Sequence, residues 1–393
     1  MEVCKTLYGL KDAGALSKAK LDKILLAAGY SENKIVPCLY KHATNGVSFV
    51  LVVDDFAVKY LKDDSLHHLV KTLKDAGYEL SVDLKASKFC GLDIKYNKRE
   101  GWIEISCKGY VEKVLHRFRH RKFKKESSPM VYVTPNFGEK IQMAKDDPAD
   151  KMSPAAILEA QQIIGCVLWY SRMVDAPTLT AVNKCASQLG EARISLEPKL
   201  DRLLGHLAAF PNNCVRYYAS DMVFRTYSDA SYLSETKSRS RAGAYGYFGW
   251  TSDPSRLNGP ILIDSAVLDV VVSSVAEAEY GAAYRAGRHT VWFRVIAAAL
   301  GFKQDGPTII YVDNTTAVGL ANDTLKIART KAIDMRFHWL RDRVRQGQLK
   351  VVHIPGTLQL ADFFTKPLAV KDHLSMMTKF VRTPHRAHFN ARQ

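Results

Sequence analysis

The sequence predicts an α/β protein whose last third forms a mixed sheet flanked by helices. Three consecutive runs rich in β-branched and aromatic residues predict antiparallel strands at residues 221–233, 242–250 and 261–275. A long helical pattern then occupies residues 276–300 and ends at Gly301. Helices and strands alternate after that point, and this order of elements typically gives a mixed sheet covered by helices.

The alternating part contributes two more strands and two helices. Apolar runs predict the strands at residues 308–312 and 349–354. Helical patterns lie at residues 314–321 and 331–346. A polar, basic stretch at residues 234–241 connects the first two strands of the region. The last third of the chain therefore contains enough elements to form a sheet and its helical cover without the residues before it.

Four carboxylates in this region are the strongest functional signal in the chain. Asp229 lies in the first strand, Glu279 near the start of the long helix, Asp313 at the carboxyl end of a buried strand, and Asp362 on a short amphipathic segment. Each alone has an ordinary explanation as an edge-strand charge, a first-turn helix acid or a solvated helix acid. Together they fit a two-metal phosphoryl-transfer site, which needs several carboxylates around a pair of Mg²⁺ ions. This region therefore resembles a nuclease.

Five segments, all in the same order, resemble the RNase H domain of copia-type long-terminal-repeat retrotransposon Pol polyproteins. They read YSDASYLSETKSRSRAG, SSVAEAEYGA, YVDNTTAVGLAN, RTKAIDMRFHWLRDRV and LADFFTKPL. The resemblance implies that Asp229, Glu279, Asp313 and Asp362 are both the catalytic residues and the metal ligands. It favours Glu279 over Glu277, because Glu279 directly precedes the bulky tyrosine of its motif.

The activity implied by the resemblance is metal-dependent endonucleolytic hydrolysis of the RNA strand of RNA–DNA hybrids. Two Mg²⁺ or Mn²⁺ ions per site would activate a water at the scissile phosphate and stabilise the leaving 3′-oxygen. Arg239, Arg241, Lys331 and Arg336 are the expected phosphate contacts, although surface Arg and Lys residues usually have no such specific role. The expected partners are the hybrid and other products of the polyprotein, with no membrane.

The front of the chain resembles the reverse transcriptase of the same polyproteins. LYGLKDAG at residues 7–14 resembles an element that opens a palm-domain helix, and LVVDDF resembles the metal-binding hairpin of the polymerase. The resemblance makes Asp54 and Asp55 the metal ligands of a vestigial polymerase site. The β-rich runs at residues 50–53 and 56–60 flank the acidic pair as a hairpin requires. An ordinary polar turn is the alternative interpretation.

We expect no polymerase activity from this polypeptide alone. A polymerase needs a further aspartate from an earlier palm strand, and the six residues before Leu7 are too few to provide that strand. Asp12 also replaces a usual glutamine of the family, at a place that nucleotide phosphates would approach. Two alternatives remain open: a decayed or repurposed fragment that binds nucleic acid without catalysis, and a segment of a longer polyprotein.

We predict four regions along the chain. They are the C-terminal part of a reverse transcriptase with partial palm and thumb (residues 1–125), a helical connection region (residues 126–215), an RNase H-like domain (residues 216–370) and a basic tail (residues 371–393). The tail is expected to be a flexible arm that reaches phosphates. We also expect the domain at residues 216–370 and its tail to be soluble when separated from the rest.

The first two of these regions have their own predicted elements. Residues 89–118 predict a strand, a turn, a second strand and a helix. Residues 155–174, 179–189 and 198–210 predict helices, and residues 134–152 predict a loop or a junction.

Composition agrees with this organisation. The chain has 393 residues with 47% hydrophobic content, enough to bury more than one core. The formal net charge of +16 favours polyanionic partners such as nucleic acid. Seven cysteines without a Cys-x-x-Cys spacing predict reduced thiols in an intracellular protein, cytoplasmic or nuclear, rather than a zinc site or disulfides. No signal peptide or membrane-spanning run is visible.

Overall fold

The computed structural model describes residues 11–134, 147–325 and 334–383, without the side chains of residues 334–337. These residues form two compact units. One unit contains the described part of residues 1–94 and Val295–Gly301, and the other contains the described parts of residues 95–294 and 302–393. Sheets packed against helices occur in both, which confirms the predicted α/β class. Within the described residues, no helix has the length and apolar character needed to cross a bilayer.

A four-stranded antiparallel sheet, in the order β1-β2-β3-β4, is the centre of the first unit. The elements are α1 (Ala13–Ala27), β1 (Tyr30–Glu32), β2 (Leu39–His42), β3 (Ser48–Val52), β4 (Asp55–Lys59), α2 (Asp63–Asp75), β5 (Lys88–Phe89) and β6 (Leu92–Asn97), the last of which extends past the end of the unit. Leu25 of α1 and Leu69 of α2 pack against Tyr40 and Phe49 of the sheet. This apolar cluster is the core of the unit.

Helices make up most of the first half of the second unit. The elements are β7 (Trp102–Ser106), α3 (Tyr110–Arg117), α4 (Pro154–Met173), α5 (Leu179–Gln188), α6 (Glu197–Ala209) and β8 (Cys214–Tyr218). Helix α4 begins after Ser153, whose side chain accepts a hydrogen bond from the Ala156 N–H at 3.2 Å. The three predicted helices of this region are present, whereas β8 was not predicted. It pairs antiparallel with β7 from Ser106↔Cys214 onwards.

The second half of this unit contains the predicted mixed sheet. Its elements are β9 (Val223–Glu235), β10 (Arg239–Gly249), β11 (Leu262–Val267), α7 (Val275–Ala299, of which residues 295–299 belong to the first unit), β12 (Thr308–Val312), α8 (Thr315–Ala321), α9 (Asp334–Arg345), β13 (Leu349–His353) and α10 (Val370–Phe380). The strand order is β11-β10-β9-β12-β13. Strand β10 is antiparallel to its neighbours β11 and β9, and β12 is parallel to both β9 and β13. The sheet is therefore mixed, as predicted.

Alternating side chains give this sheet two different faces. Tyr227 and Tyr245 belong to a cluster with Phe364 of a short 3₁₀ helix, Ala361–Phe364, which we call the 3₁₀ segment. Phe224 and Ala244 instead belong to a cluster with Ala286 of α7. The sheet is thus covered by α7 on one face and by C-terminal elements on the other, since successive residues of a strand point to opposite faces.

The prediction of a flexible arm from residue 371 is wrong for residues 371–383. Helix α10 buries His373, Met377 and Phe380 at helical spacing, so these residues form an apolar face within a segment of basic composition. Beyond α10, the backbone of Arg382 exchanges two hydrogen bonds with that of Cys214, at 2.9 and 2.8 Å. Residues 384–393 of the predicted tail lie outside the described residues. The other predicted region boundaries stay predictions.

A buried carboxyl group connects the helical part of this unit to its C-terminal end. Asn213 Nδ2 donates to Asp175 Oδ1 at 2.9 Å, and the Thr383 hydroxyl donates to Asn213 Oδ1 at 2.9 Å. Asp175 is fully buried, and its Oδ2 has no hydrogen-bond partner among the described residues. Burial raises the pKa of Asp175 to about 7, although the hydrogen bonds from Asn213 and Thr178 lower it. The folded state therefore favours the protonated form of this carboxyl group over its ionised form.

We predict that Asp175 makes the second unit less stable as the pH rises. Between its unfolded pKa near 4 and its folded pKa of about 7, only the folded state keeps the proton, so stability is lost across this window. From pH 5 to pH 8 the loss is about 3 kcal/mol. Urea unfolding followed by tryptophan fluorescence measures it, because all five tryptophans lie in the second unit.

The matched variants are Asp175→Asn, which removes the titration, and Asp150→Asn, which changes an exposed carboxylate. The pH dependence of stability is expected to shrink by about 3 kcal/mol in Asp175→Asn only. Equal pH dependence in wild type and Asp175→Asn would contradict the assignment.

Candidate metal centre

Two of the predicted ligands are brought together by the parallel pairing of β9 and β12. The register places Tyr311 beside Tyr227. Asp313 comes two residues after Tyr311, just beyond the end of β12, and Asp229 comes two residues after Tyr227, within β9. The two carboxylates therefore lie next to each other at the carboxyl end of β12, where α/β sheets commonly build their sites.

Helix α7 supplies the third carboxylate, and its first turn separates the roles of two glutamates. The Ser274 hydroxyl accepts the Glu277 N–H at 3.2 Å, while the Glu277 carboxylate accepts the Ser273 N–H at 2.7 Å. Glu277 thus caps the helix, as in a capping box. Glu279 instead lies over β9, and its Oε1 accepts the Ala230 N–H at 3.3 Å. The structure therefore places Glu279, and not Glu277, beside Asp229.

The three carboxylates Asp229, Glu279 and Asp313, which we call the acidic cluster, are close enough to share an ion. One oxygen from each lies within 4.8 Å of the others. Asp229 is 3% exposed and Glu279 is 4% exposed. Burial raises the pKa of Asp229 and of Glu279, and the charges of the neighbouring carboxylates raise both further. Burial and the charge of Asp362 likewise raise the pKa of Asp313. Without a cation, these groups repel one another.

Asp362, the fourth predicted ligand, lies at the edge of the acidic cluster in the 3₁₀ segment. Its charge acts on all three carboxylates of the cluster, and its own Oδ1 lies 2.7 Å from Lys366 Nζ. Thr365 follows the segment and donates its hydroxyl hydrogen bond to Asp229 Oδ2. The motif LADFFTKPL therefore provides a carboxylate, a hydroxyl and an ammonium to the same site.

Gly243 allows the 3₁₀ segment to approach the sheet. It is the partner of Asp229 in the β9–β10 register. A Cβ atom at this position would lie 2.7 Å from Thr365 Cγ2, 2.9 Å from the Ala361 carbonyl oxygen and 3.0 Å from Phe364 Cβ. Any side chain here would push the segment away from Asp229. The glycine is required by this close contact and not by its own backbone conformation.

The acidic cluster fits a divalent cation. Glu279 Oε2 is buried and has no hydrogen-bond partner among the described residues, so a strong acceptor is left over at the centre of the site. All the available donor atoms are carboxylate oxygens, the ligands preferred by Mg²⁺ and Mn²⁺. Asp362 adds a further carboxylate nearby.

The predicted phosphate contacts have different surroundings. Arg239 is partly exposed and donates to the Leu268 carbonyl oxygen at 2.6 and 3.0 Å. Arg241 is fully buried, and its Nε donates to Glu235 at 2.7 Å. The predicted connecting stretch at residues 234–241 is shorter than expected, because β9 continues to Glu235 and β10 starts at Arg239, which places Arg241 inside the sheet. In this position Arg241 cannot reach a phosphate. Lys331 and the side chain of Arg336 lie outside the described residues.

The sequence predicts a hairpin with Asp54 and Asp55 between its strands, and the first unit contains this hairpin with its turn one residue earlier. The two turn residues are Val53 and Asp54, while Asp55 begins β4 and pairs with Val52. Both aspartates are exposed, and Asp55 Oδ2 accepts the Cys90 N–H at 3.2 Å. Val53, the first residue of the turn, has φ +54° and is 86% exposed. A β-branched residue in the left-handed region is strained, so this turn stores conformational energy beside the acidic pair.

Sequence reasoning did not assign roles to several residues at the acidic cluster. Thr365 and Lys366 were quoted within a motif, and their spacing of three and four residues from Asp362 is a signal that they share its face of a helical turn. His353, at the end of β13, lies opposite Val312 in the register, and its charge lowers the pKa of the adjacent Asp313. Gly243 gave no signal, because its role depends on a contact with a segment about 120 residues away.

We predict that Gly243→Ala weakens both the second unit and its metal site. The added methyl group would collide with the 3₁₀ segment, and overpacking of this kind costs about 1–3 kcal/mol. Gly306→Ala is the matched control, since a Cβ atom there would meet nothing within 4 Å. Thermal unfolding followed by tryptophan fluorescence measures the change. A melting temperature of Gly243→Ala equal to that of Gly306→Ala would disprove the close approach.

We also predict that Val53→Gly stabilises the hairpin of the first unit. Glycine adopts a positive φ without steric cost, so roughly 1 kcal/mol of strain is removed. Hydrogen exchange of the peptide that covers residues 48–59 would then slow roughly fivefold. Val82→Gly is the control, because Val82 lies at an exposed loop position without a positive φ. This variant should not slow hydrogen exchange of the peptide that covers residues 48–59. Faster exchange in Val53→Gly would contradict the strain.

Comparison with known proteins identifies relatives over nearly the whole chain. It is 25% identical over 374 residues to the "Retrovirus-related Pol polyprotein from transposon TNT 1-94" of Nicotiana tabacum, which covers 92% of this chain and 26% of that protein. It is 26% identical over 369 residues to the corresponding polyprotein from transposon RE1 of Arabidopsis thaliana, covering 93% of this chain and 24% of that protein. The chain spans about a quarter of the length of these relatives. No family model matches it.

Solved structures give more distant similarities. LC11-RNase H1 isolated from compost is 16% identical, with a TM-score of 0.28, over 37% of this chain and 93% of that one. The foamy viral protease-reverse transcriptase in complex with an RNA/DNA hybrid is 12% identical, with a TM-score of 0.47, over 92% of this chain and 40% of that one. The relatives confirm the resemblance read from the motifs: this chain is similar, over more than nine-tenths of its length, to retrovirus-related Pol polyproteins of copia-type plant transposons.

Proposed function

We propose that the acidic cluster, together with Asp362, cleaves the RNA strand of RNA–DNA hybrids with the help of two Mg²⁺ or Mn²⁺ ions. The observation that carries this proposal is the convergence of Asp229, Glu279 and Asp313 within 4.8 Å, with the first two buried and Asp313 half-buried. Such a cluster of like charges destabilises a fold unless a cation compensates the charge. Its presence therefore favours a metal-binding or catalytic role. The similarity to Pol polyproteins supports a role in nucleic-acid processing.

Each residue of the site has a separate task in this proposal. Asp229, Glu279 and Asp313 would hold the ions, and Asp362 would complete the set of ligands from the 3₁₀ segment. When bound, the ions would supply a nucleophilic water and stabilise charge on the leaving oxygen. The Thr365 hydroxyl and the Ala230 N–H fix the orientations of Asp229 and Glu279, so the ligands are oriented in advance.

The substrate class follows from charge and from the type of site. A formal net charge of +16 attracts polyanions, and partly exposed Arg239 is a candidate phosphate contact within a strand that neighbours β9. Lys331 and Arg336 stay predicted contacts. Selection of a hybrid would require contacts to 2′-hydroxyl groups on one strand and to DNA phosphates on the other. We place this activity inside the cell, in the cytoplasm or the nucleus.

The evidence for a metal site is weaker at the acidic pair of the first unit than at the acidic cluster. Asp54 and Asp55 are exposed, and among the described residues no third carboxylate, histidine or cysteine forms a metal-sized group with them. We therefore propose that this polypeptide alone does not polymerise DNA. The nuclease is its principal activity.

Binding of hybrid without cleavage is the competing function. It is favoured if the raised pKa values of Asp229 and Glu279 persist in the presence of Mg²⁺, because protonated carboxyl groups are poor ligands. An assay that measures both hybrid binding and RNA cleavage distinguishes the two functions.

We predict Mg²⁺-dependent release of labelled RNA fragments from an RNA–DNA hybrid, with no cleavage of duplex DNA. Asp229→Asn and Glu279→Gln should each reduce the rate by more than roughly 100-fold, since even changes around metal ligands commonly cost 10- to 100-fold. Hybrid affinity should be retained in both variants, because their carboxylates contact ions rather than the nucleic acid.

Glu277→Gln is the matched control, two residues away on the same helix. Its side chain caps α7, so this variant should keep its cleavage rate and lose some stability. Loss of cleavage in Glu277→Gln but not in Glu279→Gln would refute the ligand assignment. Hybrid binding with no cleavage by the wild-type protein would establish the binding fragment instead.

A further inference from the structure

Lys366 is the cation of the candidate metal centre. Its Nζ lies 2.7 Å from Asp362 Oδ1, one helical turn earlier in sequence. No other Lys or Arg side chain forms an ion pair with Asp362 or with the acidic cluster, as far as the described residues extend. The side chain of Lys366 is 45% exposed and that of Asp362 is 24% exposed. The ammonium therefore lies at the mouth of the site, with room to move.

The charge of Lys366 acts beyond its direct partner. It interacts electrostatically with Asp229 and Asp313 as well as with Asp362. Three carboxylates thus share one ammonium, which leaves most of their negative charge uncompensated. The carboxylate oxygens would attract both the lysine ammonium and a divalent ion. If both bound these oxygens at once, the two cations would repel each other at short range.

We propose that Lys366 is a built-in counterion, which stabilises the carboxylates before a divalent ion binds and must leave Asp362 when it does. This inference rests on the proposed function, because it assumes that the acidic cluster is a metal site. Lys366 then has two opposite effects: it stabilises the metal-free fold, and it lowers the affinity for the ion. A residue that only packs against the segment would have the first effect alone.

The chemistry of lysine suits this role. Its ammonium is a compact charge on a flexible four-carbon stem, so it can withdraw into solvent without disturbing the backbone. Thr365, the preceding residue, remains bonded to Asp229 and to the Asp362 carbonyl oxygen. Departure of the ammonium therefore leaves the 3₁₀ segment in place.

The test measures Mg²⁺ binding by titration calorimetry and thermal unfolding with and without Mg²⁺, on the full chain. Lys366→Gln removes the charge and keeps much of the stem. We expect roughly tenfold or greater tightening of Mg²⁺ binding, because the repulsion between two cations is removed. We also expect a lower melting temperature without Mg²⁺ and a larger increase when Mg²⁺ is added.

Three further variants make the result decisive. Lys371→Gln removes an equal charge from the exposed start of α10 and should leave Mg²⁺ affinity within about twofold of the wild type. Lys366→Arg keeps the charge and should bind Mg²⁺ no more tightly than the wild type. Asp229→Asn should abolish binding at the site.

The possible outcomes separate this inference from the proposed function. If the wild type binds Mg²⁺ through Asp229 but Lys366→Gln binds it no more tightly, Lys366 is not a counterion and the proposed function stands. If Asp229→Asn binds Mg²⁺ as well as the wild type does, the acidic cluster is not the metal site and both proposals fail. Tighter binding in Lys366→Gln with a lower metal-free melting temperature establishes the counterion.

Discussion

Repulsion between buried carboxylates is the constraint around which the second unit is arranged. Asp229 and Glu279 are almost completely buried, and Asp313 and Asp362 add charge at close range. Burial alone disfavours the ionised forms, and their proximity disfavours them further. A fold holds such groups together only through strong attachments elsewhere. In this chain those attachments come from four separate elements: β9, α7, the end of β12 and the 3₁₀ segment.

Each attachment depends on packing some distance from the charges. The register of β9 and β12 fixes Asp229 beside Asp313, while the cap of α7 by Ser274 and Glu277 fixes where Glu279 enters. The 3₁₀ segment is held on the other face of the sheet by Phe364 within the aromatic cluster of Tyr227 and Tyr245. Its close approach is possible only because Gly243 has no side chain. The site is therefore preorganised by the apolar core, at the expense of local electrostatic stability.

Much of this arrangement could be predicted from local sequence, and the rest could not for identifiable reasons. Periodicity and end signals located most strands and helices of the second unit, but β8 and α10 were missed and β11 ends at Val267 rather than at the predicted residue 275. The carboxylates were evident from their settings, with Asp229 inside a strand and Glu279 and Asp313 near the ends of elements. Contacts between distant segments were not predictable, which is why the role of Gly243 and the burial of Arg241 were missed. The tail was misread because basic composition concealed the apolar spacing of His373, Met377 and Phe380. Lys366 was visible in its motif, but its ion pair depends on the turn that the segment adopts.

Anomalous diffraction from crystals soaked in Mn²⁺ directly tests whether these carboxylates form a divalent-metal site. We expect two Mn²⁺ peaks about 3.5–4 Å apart among Asp229, Glu279, Asp313 and Asp362. Lys366 should then no longer contact Asp362. Crystals that show no Mn²⁺ at these residues, or show it only at Asp54 and Asp55, would mean that the carboxylates of the second unit are not a divalent-metal site.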